Sequence, residues 1–160
     1  MVAFCSPYTG LERGSCWNES WPLFREQIST AQGLTRFCSQ MFLTAKTDQD
    51  RCYSAMFYIV TPQMHFDRQK LTEFCSKLLS RRQGQCFANA ASRMIETDYR
   101  NISTAVELCE SALTLDSKNQ CFNELLLYST YNYHSGSPEF LNMCSALPET
   151  WKQKCLARSQ

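Results

Sequence analysis

Valine and isoleucine together fill only 7 of the 160 positions, while leucine alone fills 16. Strands draw on β-branched residues, so this shortage argues against a sheet. Glycine and proline number 5 each, too few for the frequent tight turns of a β-sandwich. Long apolar runs are missing. Ala55–Val60 and Leu125–Tyr128 are the longest, well short of the roughly 18 residues that cross a bilayer as a helix. An excess of one charge is missing too: 16 Lys and Arg stand against 15 Asp and Glu, for a net charge of +1. That excludes a strongly basic nucleic-acid binder and an acidic disordered tail. The chain opens Met-Val-Ala-Phe-Cys, without a basic segment leading into an apolar one. This reads as no secretory signal, and as a mature or trimmed form if the protein is exported.

The residues that are abundant are helix formers: Leu, Ala, Gln, Glu, Arg, Lys and Met. An all-α fold is expected, in one domain with enough chain to bury a core. That core is thin. Hydrophobic residues make up 44%, but without cysteine the share falls to roughly 38%, below the usual apolar fraction. The shortfall is matched by 10 cysteines. A cytosolic protein of this size rarely carries so many. An oxidising compartment is expected: periplasmic, cell-surface or extracellular.

The cysteines are periodic. They stand at Cys5, Cys16, Cys38, Cys52, Cys75, Cys86, Cys109, Cys121, Cys144 and Cys155. As consecutive pairs their offsets are 11, 14, 11, 12 and 11 residues, separated by spacers of 21, 22, 22 and 22. The flanks repeat as well. Phe4, Phe37, Phe74, Leu108 and Met143 precede the first cysteine of each pair. Trp17, Tyr53, Phe87, Phe122 and Leu156 follow the second. Five units with a period near 35 residues indicate an array of helical pairs. The expected architecture is a solenoid-like array of about five antiparallel helical hairpins, each locked by one disulfide. The units fall at approximately 1–28, 29–65, 66–100, 101–135 and 136–160.

The third unit shows the physics. Leu71, Phe74, Cys75, Leu78 and Leu79 recur at helical spacing, Ser80–Gly84 reads as a polar turn, and Cys86, Phe87, Ala90 and Met94 begin a second apolar stripe. Two antiparallel helices bring residues equidistant from their turn together, within the roughly 4.4–6.8 Å between Cα atoms that a disulfide needs. Matching start signals occur elsewhere. Thr47 and Asp50 resemble a capping box before Cys52, and Asp116 or Ser117 can cap the helix of Cys121. Ser137-Pro138-Glu139 can open the helix of Cys144, and Pro148 fits the first turn of the helix of Cys155. The expected bridges are Cys5–Cys16, Cys38–Cys52, Cys75–Cys86, Cys109–Cys121 and Cys144–Cys155. The competing pattern links each second cysteine to the next first one across the spacer, and spacing alone does not decide between them. With only four residues before Cys5 and five after Cys155, the terminal helices read as cut short, either as caps or by trimming.

The hairpin stapled by paired cysteines resembles the coiled-coil-helix twin-cysteine proteins of the mitochondrial intermembrane space. Those carry two C-x(9)-C motifs per hairpin; here three units have C-x(10)-C and the others C-x(13)-C and C-x(11)-C. That resemblance implies an accessory protein of a respiratory complex. The period near 35 is also similar to disulfide-bridged Sel1-like and tetratricopeptide-like repeat proteins secreted by bacteria. The unit from Cys144 to Leu156, with its Cys-x-x-Leu-Pro pattern, looks like repeats of exported bacterial proteins. Neither resemblance brings a catalytic motif.

Zinc-type C-x(2–4)-C pairs, C-x-x-C redox pairs and C-x-x-C-H haem sites are missing, as are P-loops, G-x-G-x-x-G and a nucleophile elbow. No cofactor, metal or catalytic residue is expected. The two histidines, His65 and His134, read as surface loop residues; an envelope-polymer enzyme or regulator using His65, His134 or an acid cluster is the alternative. Arg81-Arg82 reads as a solvated turn. Asn18-Glu-Ser20 and Asn101-Ile-Ser103 fit the glycosylation sequon of a eukaryotic secretory route. The aromatic stretch holding Tyr128, Tyr131 and Tyr133 suits a contact patch, as do Trp17, Trp21 and Phe24 near the start. The functional expectation is a non-enzymatic structural or protein-binding scaffold. It would bind a protein partner or itself, possess no membrane-spanning segment and bind no nucleic acid.

Overall fold

Apolar residues three and four apart, with few chain breakers between them, dictate helices, and the computed structural model is all-α. It describes residues 5–41 and 46–159. Among these every regular element is helical. The elements are α1 (Gly10–Ser20), a 3₁₀ turn at Trp21–Phe24, α2 (Arg25–Ile28), α3 (Ala31–Met41), α4 (Lys46–Gln63) and α5 (Arg68–Ser76). They continue with α6 (Ser80–Thr97), a 3₁₀ turn at Tyr99–Asn101, α7 (Ile102–Glu110), α8 (Leu115–Asn132), α9 (Pro138–Ala146), α10 (Glu149–Leu156) and a last 3₁₀ turn at Ala157–Ser159.

From α4 to α9 long and short helices alternate. α4, α6 and α8 each have 18 residues; α5, α7 and α9 each have 9. Long packs on long, α4 against α6 and α6 against α8, and the short α10 closes the row against α8. Short packs on short, α5 against α7 and α7 against α9. The α6–α8 interface is the most extensive. α6 buries Phe87, Ala90, Ala91 and Met94; α8 buries Phe122, Leu125 and Leu126. These belong to one apolar cluster running from Phe24 to Cys155.

All 10 cysteines are paired, and the local pattern holds over the competing one. Cys5–Cys16, Cys38–Cys52, Cys75–Cys86, Cys109–Cys121 and Cys144–Cys155 are bridged, with Cα atoms 5.9, 5.7, 5.5, 5.4 and 5.4 Å apart. The last four each tie one helix to the next in the chain: α3 to α4, α5 to α6, α7 to α8 and α9 to α10.

The connections depart in detail from the sequence expectation. Ser80–Gly84 is the first turn of α6, and the bend lies at Lys77–Leu79. Gln83 explains the tighter bend. Its Nε2 donates to the carbonyls of Ser76 and Leu78, at 2.9 and 3.0 Å, satisfying acceptors that the end of α5 leaves free. Arg82 is no solvated loop residue, being only 5% exposed. Its guanidinium pairs with Asp50 of α4 and lies 4.4 Å from the Tyr53 ring centroid. The α8 cap is Thr114, two and three residues before the expected Asp116 and Ser117. Its backbone is extended, and its Oγ1 accepts from Ser117 N at 3.1 Å. Ser137 caps α9 as expected, accepting from Phe140 N at 3.2 Å, with Pro138 in the first turn. Pro148 stands one residue outside its expected place, at the N-cap of α10. Thr47 already lies within α4; the four residues before Lys46 are outside the described set.

Gly33 marks a close approach. A Cβ there would overlap the backbone carbonyl of Gln27, at the end of α2. That carbonyl cannot swing aside as a side chain would. Overpacking of this kind costs about 1–3 kcal/mol, more than the roughly 1 kcal/mol of helix propensity gained on replacing glycine by alanine. Gly33→Ala is therefore expected to lower the denaturation midpoint in urea. A raised midpoint would show that α2 and α3 separate without cost.

Candidate functional site

The most developed side-chain constellation runs across the long helices. Tyr58 of α4 is 47% exposed. The Arg93 guanidinium of α6 lies over its ring, 4.0 Å from the centroid. Arg93 also pairs with Glu96, one turn along α6, at 2.8 Å. Tyr128 of α8 comes next, half-buried beside this pair. Burial is the main cause that raises the pKa of its phenol; Glu96 adds to the rise, while a hydrogen bond with Tyr133 and the Arg93 charge oppose it. Tyr133 packs edge-on against both Tyr128 and Tyr99, with centroids 6.0 and 5.6 Å apart. Burial pushes the Tyr133 phenol far above its ordinary value, with Tyr128 as the next cause. Tyr99 OH donates to the Glu139 carbonyl at 2.8 Å and accepts from Asn142 Nδ2 at 3.0 Å. The ladder thus links α4, α6, α8 and α9.

Three further residues of α8 flank it. Glu124, Leu127 and Tyr131 recur at i, i+3 and i+7, which places them on one stripe. Glu124 is half-buried without an ion pair or side-chain hydrogen bond among the described residues, and burial raises its pKa. Leu127 is 42% exposed and Tyr131 82%. Tyrosine and arginine are residue types enriched where binding energy concentrates at protein contacts, and here two tyrosines and an arginine meet at a half-polar surface.

Of the contact residues expected from sequence, Tyr128 and Tyr133 meet in this ladder and Tyr131 projects beside it. Trp17 and Trp21 have side chains outside the described residues; Phe24 is in the core. His65 and His134 are both exposed and make no side-chain hydrogen bond or ion pair among the described residues. Neither is assembled there with an acid or a nucleophile. His65 and Phe66 share a left-handed backbone, φ 55° each, in the α4–α5 connection. The described residues contain no cluster of three or more His, Cys, Asp or Glu placed to hold a metal ion, and no helix long and apolar enough to cross a membrane. Asn101 of the second sequon donates from Nδ2 to the Met94 carbonyl at 3.2 Å.

Tyr58, Arg93 and Glu124 were not among the residues singled out in the sequence. The signal was present. Tyr58, Arg93 and Tyr128 are spaced by 35 residues, and so are Ser54, Asn89 and Glu124. That is the cysteine period, carried onto one face of three successive long helices. No known protein family, curated protein or solved structure matches the chain.

Proposed function

We propose that this protein is a non-enzymatic binding scaffold of an oxidising compartment, periplasmic, cell-surface or extracellular. In this reading the chain is an array of five disulfide-locked hairpins. The long helices present a protein-binding face, and the protein serves as an accessory part of a larger surface or envelope assembly. The observation that carries it is the Tyr58–Arg93–Tyr128 ladder, set at one cysteine period and flanked by the outward Tyr131. Stacking of like units makes such extended faces. The five local bridges and the packing of successive long helices and of successive short helices support the array.

The test is site-specific photocrosslinking in the producing cells. A photoreactive phenylalanine replaces Tyr131 in one variant and Gln69, on the short-helix side, in another. A discrete adduct from position 131 alone is expected, and an adduct of twice the chain mass identifies self-association. Equal adducts from both positions, or none from 131, would overturn the assignment of the face.

A further inference from the structure

Nine of the ten cysteines are 7% exposed or less; Cys16 alone is not buried. It lines an open groove together with Tyr8, Leu11, Glu12, Glu19 and Leu23. Leu11 is 92% and Leu23 68% exposed, so the approach is wide and partly apolar. Its partner Cys5 is 0% exposed. The bridge is therefore asymmetric, with one sulfur on the open side and the other within the fold. Ser20, itself buried, places its hydroxyl 3.8 Å from Cys5 Sγ and 3.9 Å from Cys16 Sγ. α1 packs chiefly on the 3₁₀ turn that follows it. Opening this bridge asks little of the apolar core, whereas the other four join helices packed within it.

We infer that Cys5–Cys16 is a thiol–disulfide exchange site, attacked at Cys16 by a dithiol reductant while the other four bridges stay closed. The exchange rate depends on which sulfur is accessible and on the departing thiol. The reductant's thiolate attacks Cys16 Sγ along the S–S axis. The Cys5–Cys16 bond breaks and a mixed disulfide to Cys16 forms. The electron pair leaves on Cys5 Sγ, which then takes a proton. In the closed bridge the Ser20 hydroxyl donates to the Cys16 carbonyl at 2.5 Å; by turning about its Cα–Cβ bond it can instead donate to that sulfur as charge develops. The second thiol of the reductant attacks its own bonded sulfur and releases Cys16. Two electrons have passed, leaving two protein thiols and a cyclic or intramolecular disulfide on the reductant. The product is a protein whose first covalent lock is open and whose remaining helices stay stapled.

The full chain is incubated with dithiothreitol without denaturant, quenched with iodoacetamide at intervals and mapped by peptide mass spectrometry. Cys5 and Cys16 are expected to be labelled faster than any other cysteine by about tenfold or more, with little loss of helical circular dichroism. A parallel reaction with the monothiol cysteamine is expected to leave its adduct on Cys16. Three results would overturn the inference. These are joint opening of all five pairs, earlier opening of another pair, and a cysteamine adduct on Cys5. Joint opening would show that reduction follows global unfolding. The last result would show that the buried sulfur is the one attacked.

Discussion

Complete reduction and alkylation of the five bridges is expected to leave a chain without a cooperative thermal transition. Closing a loop of about a dozen residues contributes roughly 2.5–3 kcal/mol by restricting the unfolded chain. Five such loops contribute on the order of 10 kcal/mol, before residual structure in the unfolded state reduces the figure. Net stability of a whole domain is about 5–15 kcal/mol, so most of it is at stake. The effect is amplified by burial, because alkylating groups at Cys38, Cys75, Cys109, Cys121, Cys144 and Cys155 would sit where the side chains are 0% exposed. The measurement is a circular dichroism melt of the chain reduced and alkylated in denaturant, then returned to buffer. A sigmoidal melt within about 5 °C of the oxidised protein would contradict the stapling account, since that is only 1–3 kcal/mol at this size.

Phe87→Ala is the second large effect. Phe87 is 0% exposed on α6, the helix that packs against α4, α5, α7 and α8 at once. Truncating a fully buried phenylalanine costs about 3–5 kcal/mol, partly as lost transfer energy and partly as a cavity. At roughly 2–4 °C per kcal/mol, the melting temperature should fall by about 6–20 °C. Tyr131→Ala provides the contrast. Tyr131 is 82% exposed, and surface changes of that kind stay within about 0.5 kcal/mol. Equal losses in the two variants would mean that α6 is not the centre of the core. The crosslinking experiment then separates function from stability, because Tyr131 is expected to matter to partners and not to folding.

Alternating helix lengths were partly legible before any coordinates. Spacers of near-constant length between cysteine pairs fix the combined length of a long helix's remainder, its connection and the short helix that follows, and α4, α6 and α8 are equal. The caps were legible only where the side chain acts alone. Ser137-Pro138 announces a helix start by its own chemistry. Thr114 does not, because Asp116 and Ser117 compete with it as caps and only the extended backbone at 114 decides. Arg82 was misread for a related reason. A double arginine beside Ser80 and Gly84 carries every local mark of an exposed turn. What buries it is Asp50 and Tyr53, on a helix 29 or more residues earlier in the chain.

The sequence by itself determined the helical class of the fold and the period of its cysteines. Helix propensity and the spacing of cysteines are local properties, and a shortage of β-branched residues leaves no competing structure. Only the tertiary structure decided which cysteines pair, which sulfur is open to attack and which side chains share a face. Those depend on how one helix lies against the next, and residues 35 apart in the chain come into register only once the helices between them have packed.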